Sequence, residues 1–317
     1  MTLEQEIKDK ARTLGFDAVG ITDAAPIAPA DVERLRTWLA SGCAGGMHYM
    51  QRNFEKRIDP AALLDGAQSV LVVALNYKPQ APRVAASQPQ ALAMGAVAQY
   101  AQYDDYHTFI RPLLHELAGF IRSLTDENVR FKACVDSVPL AERALAVRAG
   151  LGFIGKNHML IHPALGPQAF LGELVTTLRL EPDEPARASC AECRRCIEAC
   201  PTGALRDDGK LDAARCISYL TIEHAGDIPS ELAAKMGDRL FGCDECVLAC
   251  PHTKAAPPRI NQNLQHHRQR ARLDLSQILG MTDETFQRTF ANSPLLRPGL
   301  PRLQRNARAC LNNLTHP

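Results

Sequence analysis

Apolar positions recur at helical spacing over residues 3–14 (Leu3, Ile7, Ala11, Leu14) and Gly15 follows as a stop, so the chain is expected to open on an amphipathic helix. A short strand is read over 17–21 and a second helix over 30–39, ending near Gly42. Residues 69–75, SVLVVAL, are unbroken apolar and rich in valine, which predicts a fully buried strand. Helical periodicity returns over 109–124. A strand over 131–135 then delivers Asp136, a helix over 140–150 stops at Gly150, and LVTTLRL within 170–180 predicts another buried strand. Residues 78–98 are dominated by Pro, Ala and Gln and are expected to form a surface loop. Alternating helices and strands up to residue 180 imply a layered α/β or α+β domain. Beyond Pro257 and Pro258, helices are expected over 273–279, 282–290 and 300–314.

The 317 residues suffice for two domains and a helical appendix, and 46% hydrophobic content is ordinary for a soluble globular chain. No stretch approaches the roughly 20 apolar residues of a membrane span. The first residues begin no signal peptide and carry no twin-arginine leader, so a reducing cytoplasm is the expected compartment. The net charge of +1 is unevenly spread: residues 254–317 hold Lys254 and nine arginines against Asp274, Asp283 and Glu284, a local +7. That segment reads either as a solvated helical surface or as a phosphate-binding face for nucleic acid.

Eight of the eleven cysteines lie between 190 and 250. The first run is Cys190-x2-Cys193-x2-Cys196-x3-Cys200-Pro201. The second, Cys243-x2-Cys246-x3-Cys250-Pro251, repeats it with Leu240 in place of the first cysteine. In two-cluster ferredoxin modules the last cysteine of a run crosses to the other cluster. The rule assigns Cys190, Cys193, Cys196 and Cys250 to one 4Fe–4S cluster, and Cys200, Cys243 and Cys246 to the second, with Cys216 as its fourth ligand. Zinc knuckles also use CxxC pairs, but zinc does not need a third cysteine at x2 followed by x3-Cys-Pro. Cys43, Cys134 and Cys310 have no partner spacing and read as small buried hydrophobes.

Upstream there is no P-loop or CxxCH haem site. Asp136 stands at a strand end before a proline-started helix. It is either a desolvated acid with a raised pKa, able to donate a proton, or merely part of a helix N-cap supplied by Asp136 or Ser137 ahead of Pro139. Glu142 and Arg143 read equally well as a surface pair.

Five segments, RNFEKRIDP at 52–60, DSVPLAERALAVRAGLGFIGKNHMLI at 136–161, CISYLTIEH at 216–224 and the two cysteine runs, resemble the epoxyqueuosine reductase family in order along most of the chain. The resemblance implies an α+β protein in three parts: a layered cobalamin-binding and catalytic domain at 1–182, a ferredoxin-like domain with two 4Fe–4S clusters at 183–255, and a basic helical segment at 256–317. It implies an oxidoreductase that reduces the epoxide of epoxyqueuosine at the tRNA wobble position to queuosine, acting as a cytoplasmic monomer with a flavodoxin- or ferredoxin-type electron donor. Asp136 takes the place of the proton donor and Arg57 of a cobalamin-contacting arginine. Tyr103, Tyr106 and His107 match a segment near the corrin, and Lys156, Asn157, His158 and Leu160 a loop beneath it. Ser218, Cys243 and Asp244 would lie between cluster and corrin. Family members typically continue into a helical-repeat domain that grips the tRNA, so a shortened grip is expected here. The rival expectations are a cobalamin-dependent reductive dehalogenase and a plain ferredoxin-type carrier.

Overall fold

The computed structural model describes residues 1–80, 93–125 and 128–316. Nine strands run through them: Ala18–Asp23 (β1), Ser69–Asn76 (β2), Met94–Val97 (β3), Phe131–Cys134 (β4), Phe153–Ile154 (β5), Leu160–Ile161 (β6), Ala169–Thr176 (β7), Arg239–Phe241 (β8) and Arg272–Asp274 (β9). The central sheet has the order β1-β2-β7-β4, and every neighbouring pair is antiparallel. The fold is therefore α+β.

Every residue of β2 is buried, because helices cover both faces of the sheet. Leu71, Val73 and Leu75 point to one face, packing with Ile7 and Ala11 of the first helix and with Ile110, Leu114 and Leu117 of helix Tyr106–Leu124. Val70, Val72 and Ala74 point to the other, against Leu145 and Ala146 of helix Glu142–Arg148. The two-residue period of the strand divides one apolar run between two cores.

A second sheet, β8-β3-β9, joins distant parts of the chain. The expected loop over 78–98 is thus corrected at its end, where Met94–Val97 is a strand; residues 81–92 of that expectation lie outside the described residues. β3 runs parallel to β8 and antiparallel to β9. Val97, Ile217, Phe241, Leu275, Phe286 and Leu303 share one core, so the segment after residue 256 packs into the body of the protein. The predicted C-terminal helices appear as Leu275–Leu279, Asp283–Thr289 and Gly299–Thr315. Among the described residues no helix is long and apolar enough to cross a membrane.

Candidate active site and cluster module

The two cysteine runs fold alike, each carrying one cysteine, Cys196 or Cys246, inside a one-turn helix, Arg195–Glu198 or Glu245–Leu248, with Cys193 or Cys243 just ahead of it. Electrostatic neighbours among the thiols group Cys190 and Cys193 with Cys196 and Cys250, and Cys200, Cys216 and Cys243 with Cys246. Burial raises the Cys196 and Cys250 thiols, and Cys190 and Cys193 stand close enough to raise both further. Burial likewise pushes up Cys246, with Cys243, Cys216 and Cys200 adding to it. Such mutual repulsion among thiolates is what a bound cationic cluster relieves. Of the remaining cysteines, Cys134 and Cys310 are buried as expected, while Cys43 is only half-buried.

The β5–β6 hairpin braces this module. Gly152, at φ +150°, lets the hairpin close, since a Cβ there would stand 2.1 Å from the Ile161 carbonyl oxygen. In the intervening loop the Lys156 backbone N–H donates to Cys190 Sγ at 3.4 Å, Lys156 Nζ to the Ala191 carbonyl at 2.8 Å, and Asn157 Nδ2 to the Cys246 carbonyl at 3.4 Å. The loop therefore touches the ligands of both expected clusters. His158 follows at φ +60°, its carbonyl held by Arg143. Leu160 is buried in the core behind the loop.

Asp136 sits just past β4 at φ +29°. It caps no helix: helix Glu142–Arg148 begins six residues later with Ala141 at its cap position, and Ser137 Oγ donates to the Val135 carbonyl instead. The Asp136 carboxylate accepts hydrogen bonds from the Tyr106 hydroxyl and, at 2.5 Å, from His107 Nε2. His107 Nδ1 lies 2.6 Å from Asp105 Oδ1, so one imidazole bridges two carboxylates. Burial alone would lower the His107 pKa, but hydrogen bonds and charge from Asp105 and Asp136 raise it to about 9. Burial alone would raise Asp136, yet His107, Tyr106 and the charge of Arg297 hold it below the usual carboxylate range. The expected raised pKa is thus reversed. Asp136 is an anion, and the proton at neutral pH resides on its neighbour His107.

The cleft in front of Asp136 is assembled from distant segments. Arg57, at the end of helix Phe54–Ile58, faces Tyr49 and Glu142, and its buried Nε meets no acceptor among the described residues. Arg297, from the basic segment, pairs with Glu223 at 2.7 Å and faces both Asp136 and Tyr49. Tyr100 neighbours Asp136 on one side and Asp244 on the other, and the Asp244 carboxylate accepts the Gln99 backbone N–H at 2.6 Å. Asp244 lies beside Cys243 and Cys246, so the second thiol set is the one that approaches the cleft. Ser218 hydrogen-bonds toward Cys216 in that same set. Tyr103 is the exception: it is fully buried, donates to the Tyr77 carbonyl at 2.7 Å and packs on His266, so it belongs to the core.

The sequence reading passed over Glu142 as a surface residue and overlooked Glu173. Glu142 Oε1 accepts the Asp136 backbone N–H at 2.6 Å, and Glu173 is wholly buried in β7 facing Glu142. A lone Glu inside the buried run AFLGELVT was the available signal.

The arginine-rich segment is mostly committed internally. Arg270 donates to the Tyr103 carbonyl, Arg272 pairs with Asp238 at 2.8 Å, and Arg302 and Arg305 pin the last helix to carbonyls of Leu220, Ile222 and His224. Arg268, Arg288, Arg308 and Lys254 remain exposed. Both readings of the +7 segment, a solvated surface and a phosphate-binding face, therefore rest on these exposed cations rather than on its full charge.

Residues 189–253 match the family described as 4Fe-4S double cluster binding domain, which decides iron–sulfur over zinc. Residues 57–137 match the family described as Epoxyqueuosine reductase QueG, DUF1730. The epoxyqueuosine reductase of Pseudomonas aeruginosa is 39% identical over 98% of this chain and 85% of its own length. This chain belongs to the epoxyqueuosine reductase family. Among solved structures, an epoxyqueuosine reductase in complex with an epoxyqueuosine-modified tRNA-Tyr stem loop superposes with a TM-score of 0.91 at 33% identity, covering 98% of this chain and 81% of that one. The Bacillus subtilis epoxyqueuosine reductase, with its catalytic aspartate loop swung out of the active site, gives 0.89 at 32% identity over 98% and 81%. The family is one of oxidoreductases, and this chain is such an enzyme with a two-cluster module.

Proposed function

We propose that this protein reduces the epoxide of epoxyqueuosine at the wobble position of tRNA to queuosine. The reaction consumes two electrons and two protons, cleaves both C–O bonds of the epoxide, forms the alkene and releases the oxygen as water. The observation that carries this reading is the Asp105–His107–Asp136 chain, with links of 2.6 and 2.5 Å, set in a cleft against the second thiol set. A proton held between His107 Nε2 and Asp136 Oδ1 is placed to pass to an oxygen developing negative charge in front of Asp136. Asp105 fixes the imidazole orientation, and Tyr106 fixes the carboxylate. Arg297 adds positive charge on the same side.

The eight thiolates hold clusters that supply single electrons at low potential. Polar groups around Asp136 also fit a corrin: the Arg57 Nε meets no acceptor among the described residues, and Arg143 donates to the His158 carbonyl on the loop above the cysteine module. Arg57, Tyr106, His107, His158 and Ser218 would hold the cobalamin, which supplies a reducing cobalt for C–O cleavage. Tyr103 and Leu160 contribute only by shaping the walls from the core. Of the exposed cations, Arg268, Arg288 and Arg308 would contact tRNA phosphates without reading sequence. The enzyme works as a cytoplasmic monomer that draws electrons from a flavodoxin- or ferredoxin-type donor.

The direct test is single-turnover reaction of the anaerobically reconstituted protein with an anticodon stem loop carrying epoxyqueuosine, followed by nucleoside mass spectrometry. Queuosine should form in proportion to enzyme. Unconverted epoxide, from protein loaded with both clusters and cobalamin, would overturn the assignment.

A further inference from the structure

Two carboxyl groups stand behind Asp136 that the reaction above does not use. Glu142 is the first residue of helix Glu142–Arg148, and its Oε1 accepts the backbone N–H of Asp136 at 2.6 Å. That hydrogen bond holds a residue at φ +29°, a conformation that side chains with a Cβ disfavour and that persists only where neighbours impose it. Glu173 lies mid-strand in β7, between Val72 of β2 and Cys134 of β4. It is 0% exposed, and neither of its carboxyl oxygens meets a donor among the described residues.

The titratable groups facing Glu173 are Glu142, Asp136 and the Cys134 thiol. Those facing Glu142 are Asp136, Glu173, Arg143, Arg57, Tyr106 and Cys134. The cations among them flank Glu142, none flanks Glu173. An ionised carboxylate inside a sheet, without donor or counter-ion, is strongly disfavoured. Glu173 is therefore the neutral acid. A buried neutral carboxyl carries an O–H that needs an acceptor, and the facing Glu142 carboxylate provides it.

We propose that Glu142 and Glu173 share one proton, and that this carboxyl pair is a latch holding the strained Asp136 turn in its working position. Both are positioning residues: Glu173 orients Glu142, and Glu142 orients the Asp136 backbone. The proposal rests on the reading of Asp136 as the reactive aspartate. Burial pushes Glu142 up to about 7 and Glu173 well above the carboxyl range, so the pair carries its proton at neutral pH. Loss of that proton in alkali sets two anions behind a third, Asp136, and opens the latch.

The test uses the full chain with its clusters and begins with infrared spectroscopy in H2O and D2O at neutral pH. A protonated-carboxyl C=O band that shifts in D2O is expected in the wild type and absent from Glu173→Gln. Hydrogen exchange of residues 134–140 should accelerate at least tenfold in Glu142→Ala. In turnover, Glu173→Leu should lower kcat by about tenfold to a hundredfold, as for a misplaced reactive group. Glu173→Gln, which keeps a donor toward Glu142, should recover most of that loss at unchanged KM. Absence of the band in the wild type overturns the proposal, as does its persistence in Glu173→Gln, or exchange in Glu142→Ala equal to wild type. If Glu173→Leu does not fold, the Gln variant's spectrum and the exchange of Glu142→Ala decide alone. Both readouts stand without turnover, so failure of the latch is distinct from failure of the assigned reaction.

Discussion

The cysteine module and the Asp136 cleft both crowd groups that share negative charge, and they resolve the crowding differently. In the module Cys246 is raised by burial and by Cys243, Cys216 and Cys200, while Arg239 lowers Cys243 without cancelling the effect of its burial. The remaining repulsion is what bound iron relieves. In the cleft the chain supplies its own compensation: His107 and Arg297 in front of Asp136, and a retained proton on Glu142 and Glu173 behind it. Metal removal should therefore unsettle one region while leaving the other's charge pattern in place.

The most severe break in that comparison is at the thiols. Reconstituted wild type should contain about eight irons, and Cys246→Ala about four, with turnover abolished. Iron and sulfide analysis checks this, and zinc in place of iron would contradict it. Next comes Asp136→Asn, which should lower kcat by about 10²–10⁴-fold while iron content stays at wild-type level.

The third expectation concerns pH. His107 is raised from an ordinary 6.5 to about 9, so its contribution to stability is fully present below about 6.5 and is lost as pH rises through about 9. Asp136 and Asp105 are lowered, so their contribution is present at neutral pH and lost as pH falls through their folded values. Thermal melting should accordingly decline toward pH 9 in the wild type, and the decline should be shallower in His107→Gln. The iron-depleted protein should keep the same alkaline slope, because the cleft's cations belong to the chain. An unchanged slope in His107→Gln would show that the bridging geometry carries no charge.

The smallest effects belong to the exposed arginines. Arg268→Glu with Arg288→Glu should raise KM for tRNA severalfold at low salt and less at high salt, since each lost phosphate contact removes its share of counterion release and flattens the salt dependence. Arg270→Ala, by contrast, should lower Tm before it alters KM, because its guanidinium is buried against the Tyr103 carbonyl and Asp104.

What could be read in the chain divides along the same line. Ligand spacing is a local property, so a two-cluster module was legible from residues 190–250, and so was the buried run at Ser69. β3 was not. It contains Gly95, a strand-weakening residue needed here because a Cβ would stand 2.7 Å from both Leu240 and Leu275. The position of Asp136 was legible, but its charge state was not, since Tyr106 and His107 approach it from about thirty residues away through tertiary packing. The arginine count of the C-terminal segment was plain, yet nothing in the sequence told that Arg302 and Arg305 would be spent on carbonyls of residues 220–226.

The most direct test is tRNA from a cell lacking its own epoxyqueuosine reductase, complemented with this chain under adequate cobalamin. After digestion, mass spectrometry should show queuosine replacing epoxyqueuosine with the wild-type chain, and epoxyqueuosine persisting with Asp136→Asn. Persistence of epoxyqueuosine with the wild-type chain, expressed and loaded with iron, would contradict the account.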